Sequence, residues 1–343
     1  MNNDQYIKIA ESMDSTMKNF EKENKDYFDR VNKFTESQYN SLGIEPELHD
    51  YVNKMKSGVY EDIRVKSSEK SPNFLLNNSK FKINLYCNDS LKPSTSDKNT
   101  SKFTEWVYDG SGSVSLYVNQ RSLDILQDVS DTPKYIWLLE SKQIIQGVYD
   151  WILANYDFVS SRVDGILSCD RELCEKYPKF QYALTNAAPW IEERKIYEKT
   201  KLVSMISSNK AMVPGHRKRL EFVNKFMNSV DLYGRGFRDL PRKEEGLKDY
   251  MFSIAVENAV YDTYFTEKLT DCFATGTIPI FYGCRGVTKY FNEDGIIFLD
   301  DDFDISTLTE ELYYSKMDAI KDNFERANNL PVAEDYLYET YWK

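Results

Sequence analysis

The first forty residues carry apolar side chains at alternating intervals of three and four, the spacing of a coiled-coil seam. Lys, Glu, Asp and Asn dominate the positions between them, and Asn24 is a polar residue within the seam itself. The pattern predicts a long helix, with two interpretations left open. It forms a coiled coil that joins copies of the chain into a homo-oligomer, or it packs as an amphipathic helix on the chain's own body. A break at 43–46 and a shorter helical piece complete an N-terminal helical, coiled-coil-like extension over 1–64.

Beyond this extension, short apolar runs alternate with helical periods. Strands are predicted at 81–86, 113–118, 135–139 and 157–160, with a helix at 148–155 and a polar loop at 90–101. From residue 199, strands are predicted at 202–207, 230–234, 252–256, 278–282 and 295–299, with helices at 214–227 and from about Thr266. This alternation is typical of βαβ units in mainly parallel sheets. It predicts an α/β fold with two Rossmann-like domains facing a cleft, the first over 65–198 and the second over 199–343.

Composition and charge exclude several classes of protein. The chain has 343 residues and a formal net charge of -11, which argues against coating nucleic acid or an anionic membrane. The N-terminus lacks the apolar core of a signal peptide, and no run approaches the roughly 20 apolar residues of a membrane span. We therefore expect a cytoplasmic protein. The five cysteines are scattered, which favours unpaired thiols, and two histidines leave little material for a zinc site or a Ser-His-Asp triad.

The densest chemical signal lies between residues 256 and 283. A strand ends in Glu257 and Asn258, and after a loop a helix begins at Thr266, a plausible N-cap. The free N–H groups of that helix end, with Lys268 beside them, suit a diphosphate, and Glu267 could accept hydrogen bonds from ribose hydroxyls. Taken alone, Thr-Glu-Lys also fits an ordinary capped helix whose charges face solvent.

The complete string resembles the signature of the α-1,3/1,4-fucosyltransferases, the family 10 glycosyltransferases. The segments that carry the resemblance are Glu257-Asn258, Tyr264-Phe265-Thr266-Glu267-Lys268 and Gly276-Thr277-Ile278-Pro279. Ala259 stands where the family usually has Ser, and Phe265 where it has Val or Ile. The resemblance implies a GT-B-like fold, transfer of fucose from GDP-fucose with inversion, and a donor pocket that Asn258 and Tyr264 help to line. It requires no metal and no cofactor.

A second segment of the resemblance supplies an arginine for the donor diphosphate. Counting back from the strand at 230–234 selects Arg217, whereas helical phase selects Arg219, because apolar residues follow it at intervals of three, four and seven. We favour Arg219 and keep Arg217 as the alternative. The turn that starts at Gly234 either lets the chain approach the nucleotide closely or is simply a turn.

The third element of the resemblance is a general base from the first domain. The family has a Glu-Ser-Pro motif after a strand, and this chain has Glu140-Ser141-Lys142 after an apolar run. A carboxylate at that strand end would sit at the cleft mouth and take a proton from the acceptor hydroxyl. The alternative is a strand-terminal Glu that faces solvent.

Together these features predict an inverting glycosyltransferase that moves fucose from GDP-fucose to a glycan acceptor. One alternative is a GT-B transferase that uses another nucleotide sugar. The other is a non-catalytic glycan-binding or scaffold protein that retains the fold. The acidic residues at 300–304 could suggest a metal but fit a solvated turn better.

Overall fold

The computed structural model describes residues 80–87, 101–185 and 187–343. The predicted N-terminal helix, the extension over 1–64 and the proposed role of that helix in oligomerisation lie outside these residues. The predicted polar loop at 90–101 also lies outside them, apart from its last residue.

The first half of the described chain builds a six-stranded sheet in which all pairings are parallel. Its strands are β1 (Phe81–Tyr86), β2 (Thr104–Val107), β3 (Val114–Val118), β4 (Lys134–Leu138), β5 (Gly165–Ser168) and β6 (Phe180–Tyr182), in the order β2-β1-β3-β4-β5-β6. Side chains alternate between two apolar faces, so that Ile136 packs on one face and Trp137 on the other. Burial of both faces is the reason that β3 and β4 appear in the sequence as nearly continuous apolar runs.

The second half builds a five-stranded parallel sheet. Its strands are β7 (Lys201–Ile206), β8 (Asp231–Tyr233), β9 (Tyr250–Val256), β10 (Ile278–Tyr282) and β11 (Ile297–Phe298), in the order β11-β10-β9-β7-β8. The direction of winding reverses between β7 and β9, which are neighbours. In open parallel sheets, ligands bind at such a reversal, outside the carboxyl ends of the strands.

Helices connect the strands and cover both sheets. They are α1 (Gln146–Ala154), α2 (Tyr156–Ser160), α3 (Arg171–Lys176), α4 (Pro214–Phe226), α5 (Glu267–Ala274), α6 (Glu310–Ser315), α7 (Met317–Asn328) and α8 (Ala333–Leu337). Short 3-10 helices lie at Asn119–Leu126, Lys243–Gly246, Arg285–Lys289, Glu293–Gly295 and Ile305–Thr307, and a π-helical turn at Tyr338–Trp342. α4 packs with one face of the second sheet through Phe222, and α5 with the other face through Leu269. The two helices that follow β7 and β9 therefore begin on opposite faces at the winding reversal.

The prediction of a strand at 157–160 is wrong, because these residues belong to helix α2 (Tyr156–Ser160). Four residues of mixed polarity do not distinguish a strand from one helical turn. The Ser160 hydroxyl donates to the carbonyl of Asp157, 3.0 Å away, which closes that turn. The strand of this unit follows instead at Gly165–Ser168.

After α7 the chain returns to the first sheet. Ala333 and Leu337 of α8 join the apolar cluster on one face of that sheet. The buried carboxylate of Asp335 accepts hydrogen bonds from the backbone N–H groups of Lys102 and Phe103, at 2.6 and 3.1 Å, just before β2. The C-terminal residues therefore help to fix the edge of the first sheet.

These features confirm the predicted fold class, a GT-B-like α/β fold with two Rossmann-like domains. The boundaries at 64/65 and 198/199 stay a prediction. The five cysteines all lie in the described residues, and none of them forms a disulfide bond. Among the described residues, no helix combines the length and the apolar character that crossing a membrane requires.

Candidate active site

The loop between β9 and α5 is organised by Glu257, a residue that the sequence analysis did not place in the site. Its side chain is 0% exposed, and its carboxylate accepts a hydrogen bond from the backbone N–H of Thr266 at 2.7 Å and one from the Thr266 hydroxyl at 2.9 Å. Thr266 in turn is the N-cap of α5 and accepts from the Lys268 N–H at 3.4 Å. The end of strand β9 and the start of helix α5 are thereby joined through one buried carboxylate.

Lys268 lies in the same cluster of charges. Its Nζ is 2.9 Å from the Thr266 hydroxyl, 3.3 Å from a Glu257 oxygen and 3.7 Å from a Glu267 oxygen. Burial alone would lower the pKa of Lys268, but the Glu257 and Glu267 carboxylates outweigh it, and the net shift is upward. The ammonium group therefore stays charged at neutral pH, beside a helix N-terminus that is itself positive.

Arg219 points inward from α4 and is 7% exposed, whereas Arg217 on the same helix is exposed. One guanidinium nitrogen lies 3.3 Å from the Asn258 amide oxygen, and another lies 2.9 Å from the Ser208 hydroxyl. Carbonyl oxygens of Ser208 and Lys210 lie at 3.3 and 3.5 Å. All these partners are neutral, and burial lowers the pKa of Arg219. A buried cation whose hydrogen-bond partners in the described part of the chain are neutral favours the approach of an anion.

The two cations attach to adjacent residues of one loop, since Lys268 contacts Glu257 and Arg219 contacts Asn258. His216 provides a second indication that they converge. Burial and the positive charges of Arg219, Lys210 and Lys268 together lower its pKa to about 4. A region of positive charge therefore lies at the carboxyl end of β9, within a chain that is acidic overall.

Glu267 is held by a second lysine that the sequence analysis also missed. A Glu267 oxygen lies 3.5 Å from Nζ of Lys243, which also lies 2.5 Å from the fully buried Asp271 carboxylate. The other Asp271 oxygen accepts from the backbone N–H of Trp190 at 2.6 Å. Burial raises the pKa of Glu267, but Lys268 and Lys243 outweigh it and lower the pKa overall. Glu267 is therefore ionised at neutral pH and acts as a hydrogen-bond acceptor.

Two glycines allow close approach of the chain around this region. Gly234 has φ +106°, and a Cβ there would lie 2.0 Å from the carbonyl oxygen of Ser207. Gly215, in the first turn of α4, would place a Cβ 1.8 Å from the carbonyl oxygen of Asn258. The turn after β8 therefore packs on the end of β7, and α4 packs on the loop after β9.

Tyr264 is 1% exposed and lies in a small apolar cluster with Cys169 and Ala259. Burial raises its pKa well above the ordinary value, and the Glu257 and Glu140 carboxylates raise it further. Tyr264 is thus a neutral, buried part of the wall behind the loop. Its contact with a nucleotide stays a prediction.

Glu140 lies two residues after β4 and is half-buried. Its backbone N–H donates to the side-chain oxygen of Asn119 at 3.1 Å. Its negative charge contributes to the upward shifts in the pKa of both Lys268 and Tyr264. The structure therefore brings this carboxylate of the first sheet within electrostatic range of the cationic region on the second.

Comparison with known proteins finds a family that is similar to this region. Residues 196–326 match glycosyltransferase family 10 (fucosyltransferase), C-terminal part. Through this region the chain is similar to glycosyltransferase family 10. The matched range contains both cations, the loop after β9 and all of α5.

The proteins that are similar to this chain include fucosyltransferases. The α-(1,3)-fucosyltransferase FucT of Helicobacter pylori is 35% identical over 63 residues, which are 18% of this chain and 13% of that protein. The 4-galactosyl-N-acetylglucosaminide 3-α-L-fucosyltransferase 9 of Rattus norvegicus is 25% identical over 129 residues, 36% of this chain and 34% of that protein. The chain thus aligns with about a third or less of these relatives. A crystal structure of an α1,3-fucosyltransferase with GDP shares 15% identity, covers 80% of this chain and 86% of its own, and has a TM-score of 0.42.

The two positions at which this chain departs from the usual signature of that family lie in the interior. Ala259 and Phe265 are both buried, and Phe265 packs edge-on against Phe291. Each departure therefore changes packing and leaves the charged groups of the site in place.

Within the described ranges, no group of three or more His, Cys, Asp or Glu side chains is placed to hold a metal ion. In the acidic run, Asp300 and Asp304 accept from backbone N–H groups two residues onward, as in ordinary turns.

Proposed function

We propose that this protein is a member of glycosyltransferase family 10 and that it transfers fucose from GDP-fucose to a hydroxyl group of a glycan, with inversion at the anomeric carbon. The observation that carries the proposal is the pair Arg219 and Lys268. Arg219 is a buried cation with neutral partners, and Lys268 is an ammonium group at a capped helix N-terminus. Both attach to the loop after β9, at the winding reversal where a parallel sheet binds ligands.

In this proposal the diphosphate of the donor lies at the start of α5. Arg219 offers its planar guanidinium for two hydrogen bonds to phosphate oxygens, and Lys268 adds a point charge. As the bond between fucose and diphosphate breaks, negative charge grows on the departing oxygen. The two cations and the helix N-terminus stabilise that charge, which lowers the barrier to reaction.

The nucleoside is positioned by Glu267 and by the neighbouring loops. Because the pKa of Glu267 is lowered by Lys268 and Lys243, its carboxylate can accept hydrogen bonds from the ribose hydroxyls. Asn258 fixes one side of the pocket through its contact with Arg219. Thr266, Tyr264 and the close turn at Gly234 supply the rest of the proposed donor surface.

Glu140 is the proposed general base. It removes the proton from the acceptor hydroxyl while the acceptor oxygen attacks the anomeric carbon of fucose. The bond from that carbon to the diphosphate oxygen breaks, and GDP departs with the electron pair. The position of Glu140 just after the carboxyl end of β4 supports this role, and its charge also acts on Lys268.

The donor assignment is tested by ligand-induced stabilisation against heat. We expect GDP and GDP-fucose to raise the melting temperature in a concentration-dependent way, with UDP and ADP having much smaller effects, because specific binding stabilises the folded state. Stabilisation by UDP or ADP and not by GDP would contradict the donor assignment and favour another nucleotide sugar. An absence of stabilisation by all three nucleotides would favour the non-catalytic alternative.

A further inference from the structure

The residue that follows β3 has a backbone conformation that few side chains adopt. Asn119 has φ +51° and is 8% exposed. Asparagine is one of the residues that tolerates this left-handed region, because its short amide can bond locally. Non-glycine residues held in this region are enriched at functional sites, where the surrounding structure fixes them.

The surroundings of Asn119 hold it in place on both sides. The Ser122 hydroxyl, which is fully buried, donates to the Asn119 carbonyl oxygen at 2.5 Å. On the sheet side, Val118 at the end of β3 pairs with Trp137 of β4. The left-handed turn therefore occurs at the carboxyl edge of the sheet, directly beside the strand that leads to Glu140.

The side chain of Asn119 uses this position to bind the backbone of Glu140. Its Oδ1 accepts the Glu140 N–H at 3.1 Å. The Glu140 carbonyl oxygen lies 3.5 Å from the hydroxyl of Tyr149, a fully buried residue on α1. That hydroxyl also lies 3.2 Å from the Ser168 hydroxyl at the end of β5. Elements on both sides of β4 thus contact the peptide groups that flank the Cα of Glu140.

We propose that Asn119 is a positioning residue that sets the direction of the Glu140 side chain by holding its backbone N–H. This inference rests on the proposed function, in which Glu140 is the general base. Fixing the peptide group fixes the Cα–Cβ direction of Glu140 and hence the line from its carboxylate to the acceptor hydroxyl. Small displacements of a base from that line reduce the chemical rate and leave binding of the donor unaffected.

Three substitutions separate the hydrogen bond from the backbone conformation. Asn119→Gly keeps the left-handed conformation and removes the acceptor, whereas Asn119→Asp keeps both. We expect Asn119→Gly to lower kcat about 10-fold or more with an unchanged KM for GDP-fucose and an unchanged Kd for GDP. Asn119→Asp should restore most of the rate. Asn119→Ser, whose hydroxyl is too short to replace the amide oxygen, carries the same expectation as Asn119→Gly and serves if that variant does not fold.

A double-substitution cycle with Glu140→Gln distinguishes the inference from the proposed function. If Asn119 acts through the Glu140 carboxylate, Asn119→Gly should reduce the residual rate of Glu140→Gln no further. An additive loss, or a loss of GDP affinity equal to the loss of kcat, would overturn the inference. Normal kcat in both Asn119→Gly and Asn119→Ser would overturn it too, even if Glu140→Gln were inactive. Normal turnover by Glu140→Gln would instead refute the proposed base.

Discussion

Replacing Arg219 with methionine should weaken donor binding without unfolding the protein. Arg219 is buried among neutral oxygens, and its burial lowers its pKa, so the folded protein gains little from its charge. Methionine fills much of the same volume without a charge to desolvate. Removing the buried charge stabilises the folded state, and losing the hydrogen bonds to Asn258 and Ser208 destabilises it. Because the two effects oppose each other, we expect the free energy of unfolding to change by less than about 1 kcal/mol.

The effect of Arg219→Met on GDP binding is larger than its effect on stability, and it is a loss of affinity. Hydrogen bonds between a charged donor and a phosphate contribute about 1.5 to 3 kcal/mol. Loss of one such bond corresponds to a Kd for GDP that is about 10- to 150-fold higher in Arg219→Met than in the wild type, and loss of both bonds raises the Kd further. Arg219→Lys keeps the charge but loses the planar fork, and it should lie between the two.

Titration calorimetry with GDP measures this effect, and urea denaturation of the free protein measures stability. Arg217→Met is the matched control, because Arg217 lies on the same helix and is exposed. It should bind GDP with the wild-type affinity. A normal Kd in Arg219→Met together with a raised Kd in Arg217→Met would refute the choice of Arg219 and the helical-phase reasoning behind it.

Three further predictions concern buried or closely packed residues and their effect on the stability of the protein. Glu257→Gln should lower the free energy of unfolding by about 3 kcal/mol, because it leaves the Lys268 ammonium with one carboxylate partner fewer; equal urea midpoints would contradict this. Gly234→Ala should cost about 2 to 3 kcal/mol, since φ is +106° and the new Cβ would meet Ser207; wild-type stability in urea would show that the turn relaxes freely. Burial lowers the pKa of Lys199 to about 7, and the unfolded value is about 10.4. The unfolded chain therefore binds the extra proton between these pH values, and wild-type stability should rise relative to Lys199→Met by up to about 4 kcal/mol from pH 7 to 10. A pH-independent difference in urea denaturation would exclude this shift.

The sequence predicts the parts of the fold whose apolar pattern is long and clear, such as a helix with one apolar face or a strand that is apolar throughout. β1 and β10 have the predicted bounds. Apolar and polar residues alternate through most of β1, and the apolar run of β10 is unbroken because both faces of that strand are buried. Helical phase places Arg219 on the buried side of α4 because Phe222, Val223 and Phe226 define that side. The strands β2, β5 and β6 have three or four residues each, too few to show a period.

The parts of the candidate site that the sequence does not predict depend on packing between distant segments. Lys243 lies in a 3-10 helix between β8 and β9, and it reaches Glu267 and Asp271 because that connection folds back onto α5. No local pattern marks such a contact. The left-handed turn at Asn119 is likewise specified by its neighbours in space. Glu257 could have been found, because a carboxylate directly after an apolar strand and before a helix N-cap is placed to bind that cap.

The most direct test of the account is the release of GDP from GDP-fucose in the presence of a broad pool of glycan acceptors. The wild type should release GDP with transfer of fucose to an acceptor, detected by mass spectrometry of the glycans. Lys268→Met and Glu140→Gln should lose most of this turnover, and Glu140→Gln should still bind GDP. Transfer from another nucleotide sugar alone, or full turnover by both variants, would contradict the proposed donor site and the proposed base.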